Sequence, residues 1–360
     1  MPQLDSLRAI AVFAVFCEHF SFTPAYLTQH IHFGRLGVSL FFMLSGFLIT
    51  QILLKEQMVR DKNQSTGFLL MRTFYLRRAL RIFPIYYLML LLLLCLRYPP
   101  AIGHIALHFA YASNIGMCFW NLNFGHLNHL WSLCVEEQFY LVWPLVIIFL
   151  PRRGWLWFMA GLILLGPAYK FLGALYGCNW ITLTRNPLGG IETLVGGALL
   201  ACLRHLNLQR AENALCRWGC WLGWPLLITL QIARGSAFHS TEVYRIAYVA
   251  LLDIVSMLAF LPVLSLTSRG VKEPWGRILD IPLLRYIGKI SYGIYLYHLP
   301  LNPVLKDLLP LLGIAPPLPG IVLLTLHFAA AVAVASISWH LIEKPLASLK
   351  RKIPYPSQLG

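Results

Sequence analysis

Trp131-Ser132-Leu133-Cys134-Val135-Glu136-Glu137-Gln138-Phe139-Tyr140-Leu141-Val142-Trp143-Pro144-Leu145-Val146-Ile147-Ile148-Phe149-Leu150 is an apolar run as long as the ~20 residues a helix needs to cross the hydrocarbon core of a bilayer. Only Glu136 and Glu137 carry charge in it, and acids at such depth are expensive unless they face a polar cavity or a partner. Apolar stretches of the same kind recur along the chain. Together they predict spans near 5–22, 36–54, 79–97, 131–150, 155–175, 188–205, 216–233, 246–266, 286–305 and 319–341. The sixth, with Gly189, Gly190, Gly196 and Gly197, is the least apolar in character. Composition agrees: 58% of the 360 residues are hydrophobic and 12% charged, against roughly 25% charged in soluble domains. Mean hydropathy is +0.66. The expected fold is an all-α polytopic membrane bundle of about ten transmembrane helices.

The net charge of +15 has a topological explanation. When the ten spans are threaded alternately, 22 of the 29 Lys and Arg residues fall on the side that holds both chain ends. That asymmetry follows the positive-inside rule and puts both termini in the cytoplasm, with the chain in the cytoplasmic (inner) membrane. It makes the lipid bilayer the expected partner and removes the reason to expect nucleic acid. The first span reads as retained rather than cleaved, because it holds Asp5, Arg8, Glu18 and His19 and lacks a small-residue cleavage pattern. Residues 1–345 read as one transmembrane domain and 346–360 as a short basic cytoplasmic tail containing Lys350, Arg351 and Lys352. The eight cysteines are scattered without C-x-x-C or zinc spacing, so no metal is expected.

Four groups of residues carry possible chemistry. In the first helix, Arg8 and His19 are eleven residues apart, which puts them within ~20° on one helical face and ~16 Å apart along the axis. Arg8 would sit at the inner membrane face, within i,i+3 reach of Asp5, and His19 deep in the bilayer or its outer half. The third helix is expected to open with Arg77-Arg78-Ala79-Leu80-Arg81-Ile82-Phe83-Pro84. Guanidinium groups beside free N–H groups at a helix start suit a phosphate-bearing ligand, and plain positive-inside anchoring is the simpler alternative. In the fourth helix, Ser132, Glu136 and Tyr140 form an i,i+4 stripe with Glu137 turned ~100° away. Both glutamates would lie at about the depth of His19, so one of them is expected to meet it. In the ninth, Ser291, Tyr292, Tyr295, Tyr297 and His298 form a polar, aromatic run, and His298 is a candidate for the same cavity. Gly34, Gly37, Ser45 and Gly46 suggest close packing of the second helix. Glu192 and Asp253 are intramembrane acids for which the sequence offers no partner. Glu343-Lys344-Pro345 is expected to meet the basic inner face with Glu343, and Pro345 to stop the tenth helix.

In order along the chain, these residues resemble the acyltransferase 3 family of bacterial membrane acyltransferases. The resemblance rests on Leu4-Asp5-Ser6-Leu7-Arg8 with the Arg8-to-His19 spacing, on Gly37-Val38-Ser39-Leu40-Phe41-Phe42 through Ser45-Gly46-Phe47-Leu48, and on Arg77-Arg78 to Arg81-Ile82-Phe83-Pro84. It continues through Trp131-Ser132-Leu133, Val135 to Tyr140, Ile290-Ser291-Tyr292-Gly293-Ile294-Tyr295-Leu296 to His298, and Glu343-Lys344-Pro345. The resemblance implies a ten-helix core that moves an acetyl or other short acyl group from acyl-CoA to a hydroxyl of a carbohydrate or glycosylated acceptor. The donor's phosphates would rest on Arg8, Arg77, Arg78 and Arg81. His19 would act as general base or as acyl carrier, and Glu136 or Glu137 would orient its imidazole. Ser132, Tyr140 and His298 would line the substrate path. Some members of the family carry an extra C-terminal domain, which a chain ending at 360 would leave to a separate protein. The rival reading is a proton-coupled transporter or permease of an anionic or sugar substrate, with His19 and the glutamates as a proton relay. The chain shows none of the paired, broken halves that many transporters carry. A continuous path from the arginines to His19 would favour the enzyme.

Overall fold

The computed structural model describes residues 2–20, 31–63, 67–237, 242–314 and 319–355. Positions 21 and 22 of the first expected span, residues 64–66 of the inner connection and 356–360 of the tail lie outside this set, as do the side chains of Arg60 and Lys62. The described residues are helical, with no strand among them. The helices that fall in the ten expected segments are labelled α1 (Pro2–His19), α2 (Phe33–Asn63), α3 (Gly67–Cys95), α4 (Leu130–Phe149), α5 (Arg152–Leu175), α6 (Ile191–His205), α7 (Trp224–Ala237), α8 (Glu242–Arg269), α9 (Ser291–Tyr297) and α10 (Gly320–Ser338).

Helices occupy all ten expected segments, and seven among the described residues are long and apolar enough to cross a membrane. The other three depart for distinct reasons. α1 carries Asp5, Arg8 and Glu18 within its 18 residues. α7 follows a wide turn at Gly219–Gly223 that separates it from the polar helix Gln209–Trp218. The ninth segment is broken into Pro282–Lys289, Ser291–Tyr297 and Leu301–Leu311. Two boundaries also move. α2 and α3 run well past the apolar stretch, so much of the polar connection expected from Lys55 to Arg78 is helix. Charged residues end a lipid-compatible run without ending a helix.

α2 is the central element, packed on α1, α4, α6 and α8. Between helices in lipid there is little hydrophobic gain, so close backbone approach and interhelical polar contacts hold the bundle. α2 and α6 meet glycine to backbone from both sides. A methyl group on Gly46 would collide with the Leu194 carbonyl, and one on Gly197 with the Met43 carbonyl. Outward faces of α3, α5 and α10 expose Leu91, Leu92, Leu164, Leu165 and Ile337, as a lipid-facing surface requires.

The two acids that lacked partners in the sequence sit in a buried ionic cluster joining α2, α5, α6 and α8. Lys170 is fully buried, 2.6 Å from Asp253 Oδ2 and 2.8 Å from Glu192 Oε1. The Glu192 contact is an ion pair without a directed hydrogen bond. Arg35 grips both Asp253 oxygens at 2.9 and 2.5 Å and also donates to the carbonyls of Thr184 and Gly189. Two cations and two anions at this depth balance in charge, which a low-dielectric site demands.

Pro345 does not stop the last helix. α10 passes through a wide turn at Trp339–Glu343, and Lys344–Ser348 continues as helix with Pro345 in its first turn, where the missing N–H costs little. The chain then folds back along α3: Arg77 donates to the Ile353 carbonyl at 3.1 Å and lies over the Tyr355 ring at 4.4 Å.

Candidate active site

Two adjoining cavities run through the middle of the bundle. The larger, about 340 Å³, is walled by α1, α2, α4, the segment after α9 and the short helix Trp180–Arg185. His19, at the end of α1, keeps its ring open to this cavity. The second cavity is lined by Arg8, Ser45, Arg78, Arg81, Glu136, Glu137, Tyr140 and Tyr292 among others. Val38 and Tyr295 belong to both linings, so they form the partition. Tyr295 is fixed there by hydrogen bonds between its hydroxyl and Ser132 Oγ (2.6 Å) and from it to the His129 carbonyl (3.0 Å).

The imidazole expected to meet a glutamate meets another imidazole. His19 Nδ1 is 2.9 Å from His298 Nε2, and the rings are 5.0 Å apart. Glu136 instead accepts from Ser45 Oγ at 2.7 Å, and Glu137 lies beside it in the other cavity. The reason is helix register. Ser132 lies level with the partition, and Glu136 follows one turn later, ~6 Å further along α4. The acid next to His19 in sequence, Glu18, is taken by His32 Nδ1 and the Gly34 N–H, both at 3.2 Å.

This contact fixes a tautomer. His298 Nδ1 is 2.5 Å from the Tyr295 carbonyl, which can only accept. A neutral His298 therefore carries its proton on Nδ1 and accepts at Nε2. His19 must then donate from Nδ1, which leaves its Nε2 with a free lone pair. The His129 ring packs edge-on against His298 at 4.8 Å, its own Nε2 donating to the Leu296 carbonyl at 3.1 Å. Among the described residues no group of His, Cys, Asp and Glu has the arrangement of a metal site. If His298 orients His19, His298→Ala is expected to lower turnover by roughly 10²-fold, the lower end of what acid–base groups contribute. His298→Gln, whose amide oxygen can still accept from Nδ1–H, is expected to recover part of that loss. Equal rates for all three proteins would remove His298 from the site.

The arginine cluster is only partly as expected. α3 begins at Gly67, ten residues before Arg77, so Arg77, Arg78 and Arg81 stand within the helix and no free N–H groups lie beside them. Arg78 lies over the Tyr140 ring at 5.3 Å and lines the cavity with Arg81 and with Arg8, which pairs with Asp5 at 2.9 Å. A third cavity continues from this one, sharing Arg8, Arg81 and Tyr292, and adds Lys289, Lys350 and Glu343. Arg77 is turned to the tail and lines none of the three. Glu343 shares the third cavity with Arg81 and Lys350, among basic residues as its sequence position suggested.

Gln138, next to the glutamates, is structural. It exchanges amide hydrogen bonds with Asn114 at 3.0 Å and ties α4 to the short helix Ser113–Trp120. Several lining residues are not singled out by any motif in the sequence. Arg35 and Arg185 count there only as outer-side charges, and Trp180, Lys289 and Lys350 stand in no motif. An arginine in a predicted outer connection, where positive charge is scarce, is the signal that points to the first two.

Fold and site together define a polytopic helical membrane protein with a basic imidazole in one cavity and a guanidinium-lined cavity behind it. The family described as an acyltransferase domain, acyltransferase 3, matches residues 1–340. The chain belongs to this acyltransferase family. The peptidoglycan O-acetyltransferase OatA of Listeria monocytogenes is 30% identical over 96% of this chain and 56% of its own length. The putative peptidoglycan O-acetyltransferase YrhL of Bacillus subtilis is 28% identical over 96% of this chain and 55% of its own. A putative O-acetyltransferase of Staphylococcus aureus is 28% identical over 83% of this chain and 50% of its own. The chain thus spans about half the length of these curated relatives. No solved structure matches it.

Proposed function

We propose that this chain transfers an acetyl or other short acyl group from acyl-CoA, bound on the cytoplasmic side, to a hydroxyl of a cell-envelope carbohydrate that enters the His19 cavity from the other side of the inner membrane. The observation that carries this reading is the shared wall. A cavity lined by Arg8, Arg78 and Arg81 abuts the cavity of His19 at Val38 and Tyr295. The concentration of Lys and Arg in alternate loops of the ten expected spans supports a cytoplasmic side for the arginines and both termini. The names of the relatives point to peptidoglycan as the class of acceptor.

In this mechanism Arg8, Arg78 and Arg81, extended by Lys289 and Lys350, hold the donor's phosphates, and the acyl-bearing arm runs past Glu136, Glu137 and Tyr140 and passes between Val38 and Tyr295 to bring the thioester into the His19 cavity. Glu136, which accepts from Ser45, would accept hydrogen bonds from the arm rather than from His19. His19 Nε2 takes the proton of the acceptor hydroxyl as its oxygen attacks the thioester carbonyl. The carbon–sulfur bond breaks, the ester forms, and the imidazolium returns the proton to the leaving thiolate. Ser132 and His298 act from the wall, the first by fixing Tyr295 and the second by fixing His19. A transporter would need none of this alignment of a base with a donor cavity.

The donor side is tested by Arg81→Gln and Arg78→Gln in correctly inserted protein. Loss of a charge-assisted hydrogen bond, worth about 1.5–3 kcal/mol, is expected to raise the KM for acetyl-CoA by roughly 10–100-fold with kcat little changed. Arg77→Gln is expected to leave that KM near wild type. An unchanged KM in the first two variants would return these arginines to a purely topological role.

A further inference from the structure

The cation content of the His19 cavity exceeds what its own walls satisfy. Arg35 is well engaged, four of its five N–H groups finding Asp253 and two carbonyls as acceptors. Arg185 is not. It lines the same half-buried cavity, and its one hydrogen-bond partner among the described residues is the thioether sulfur of Met117 at 3.6 Å. A guanidinium has five N–H donors, and a thioether is a weak acceptor. Among the described residues no carboxylate pairs with Arg185, and residues 21–30, between α1 and α2, contain no Asp or Glu. Glu18, the acid in this cavity's lining, is already held by His32 and Gly34. An uncompensated cation within a membrane protein is costly and marks a ligand path.

The aromatic residues around it are arranged as plates. Arg185 and Arg35 lie over the Trp131 ring, at 6.0 and 5.6 Å. Trp180 stacks on His32 at 6.0 Å and on Tyr248 at 6.2 Å. Apolar ring faces with a few fixed polar groups, in a volume of about 340 Å³, make a small-molecule site of ordinary size. From this we infer that Arg185 and Trp131 form a subsite for an anionic group of the acceptor, a carboxylate or a phosphate, carried near the hydroxyl that His19 activates. The inference rests on the proposed function for the identity of this cavity as the acceptor side. It narrows the acceptor from carbohydrate in general to an acidic sugar or a phosphate-linked one.

Binding tests it apart from catalysis. The full chain in nanodiscs is titrated with N-acetylmuramic acid and its neutral methyl ester, and with N-acetylglucosamine 1-phosphate and N-acetylglucosamine. Quenching of tryptophan fluorescence is the readout. At least one acidic probe is expected to bind about tenfold more tightly than its neutral counterpart, in keeping with one charge-assisted pair. Whether the carboxylate or the phosphate shows the preference identifies the source of the anion. Arg185→Gln is expected to erase the preference and Arg185→Lys to keep part of it. Equal or undetectable binding of acidic and neutral probes by the wild type overturns the subsite, as does a preference that survives Arg185→Gln. His19→Ala in the same titration separates the two claims. A retained preference together with retained acyl transfer would end the catalytic reading and leave the subsite standing.

Discussion

His19→Ala is expected to lower acyl transfer by roughly 10²–10⁴-fold, the range contributed by a positioned general base, with protein level and insertion unchanged. The size follows from what the cavity offers in its place. Of the other imidazoles near it, His298 is held by the Tyr295 carbonyl and by His19, His32 is paired with Glu18, and His129 donates from Nε2 to the Leu296 carbonyl. Glu136 and Glu137 line the neighbouring cavity, behind Tyr295. His19→Gln, which keeps a polar group without the basicity, is expected to fall as far as alanine. Transfer at wild-type rate in either variant would show that the imidazole takes no part.

Replacing Lys170 has the largest expected effect on stability. Lys170→Met leaves Glu192 without a counter-charge and Asp253 with Arg35 alone, deep between α5, α6 and α8. Breaking one member out of a buried ionic cluster costs about 3–5 kcal/mol, because the partners stay buried and uncompensated. Uptake of a proton by Glu192 would limit the cost without cancelling it. The expected result is a large loss of monodisperse protein after a heating step in detergent. Lys170→Met combined with Glu192→Gln restores charge balance and is expected to regain most of the loss, so the two substitutions should be strongly non-additive. Heat resistance of Lys170→Met equal to wild type would show that this cluster does not hold α5 in place.

The architecture was legible because lipid imposes a simple pattern. A span must be apolar for ~20 residues, and each such run in the sequence contains a helix. Helix ends were less legible. α2 and α3 continue through charged residues that lipid would reject but water accepts, and this moved Arg77, Arg78 and Arg81 from a helix start to its interior. Within the site, spacing along one helix put Arg8 and His19 on one face, and they line adjoining cavities, but it left Arg77 grouped with Arg78 and Arg81. Neighbouring residues on a helix point ~100° apart, which is how Arg77 comes to face the tail while Arg78 faces the cavity. Contacts between helices depend on register, which no single segment encodes. About two turns of helix separate His129, at the start of α4 and in the same cavity lining as His19, from Glu136 in the other cavity. The partners of Asp253, Arg35 on α2 and Lys170 on α5, are distant in the chain for the same reason.

The central claim is that a donor held at the arginine-lined cavity gives its acyl group, with His19 as the base, to an acceptor that enters from the opposite face. Sealed vesicles of known orientation, carrying this chain and loaded with peptidoglycan fragments on one side only, test it with acetyl-labelled acetyl-CoA added on the other. Label is expected in the fragments when the donor is on the side of Arg8, Arg78 and Arg81 and the fragments are opposite, and it should vanish with His19→Ala. Label that appears only when donor and fragments share a side, or that persists undiminished in His19→Ala, would contradict the account.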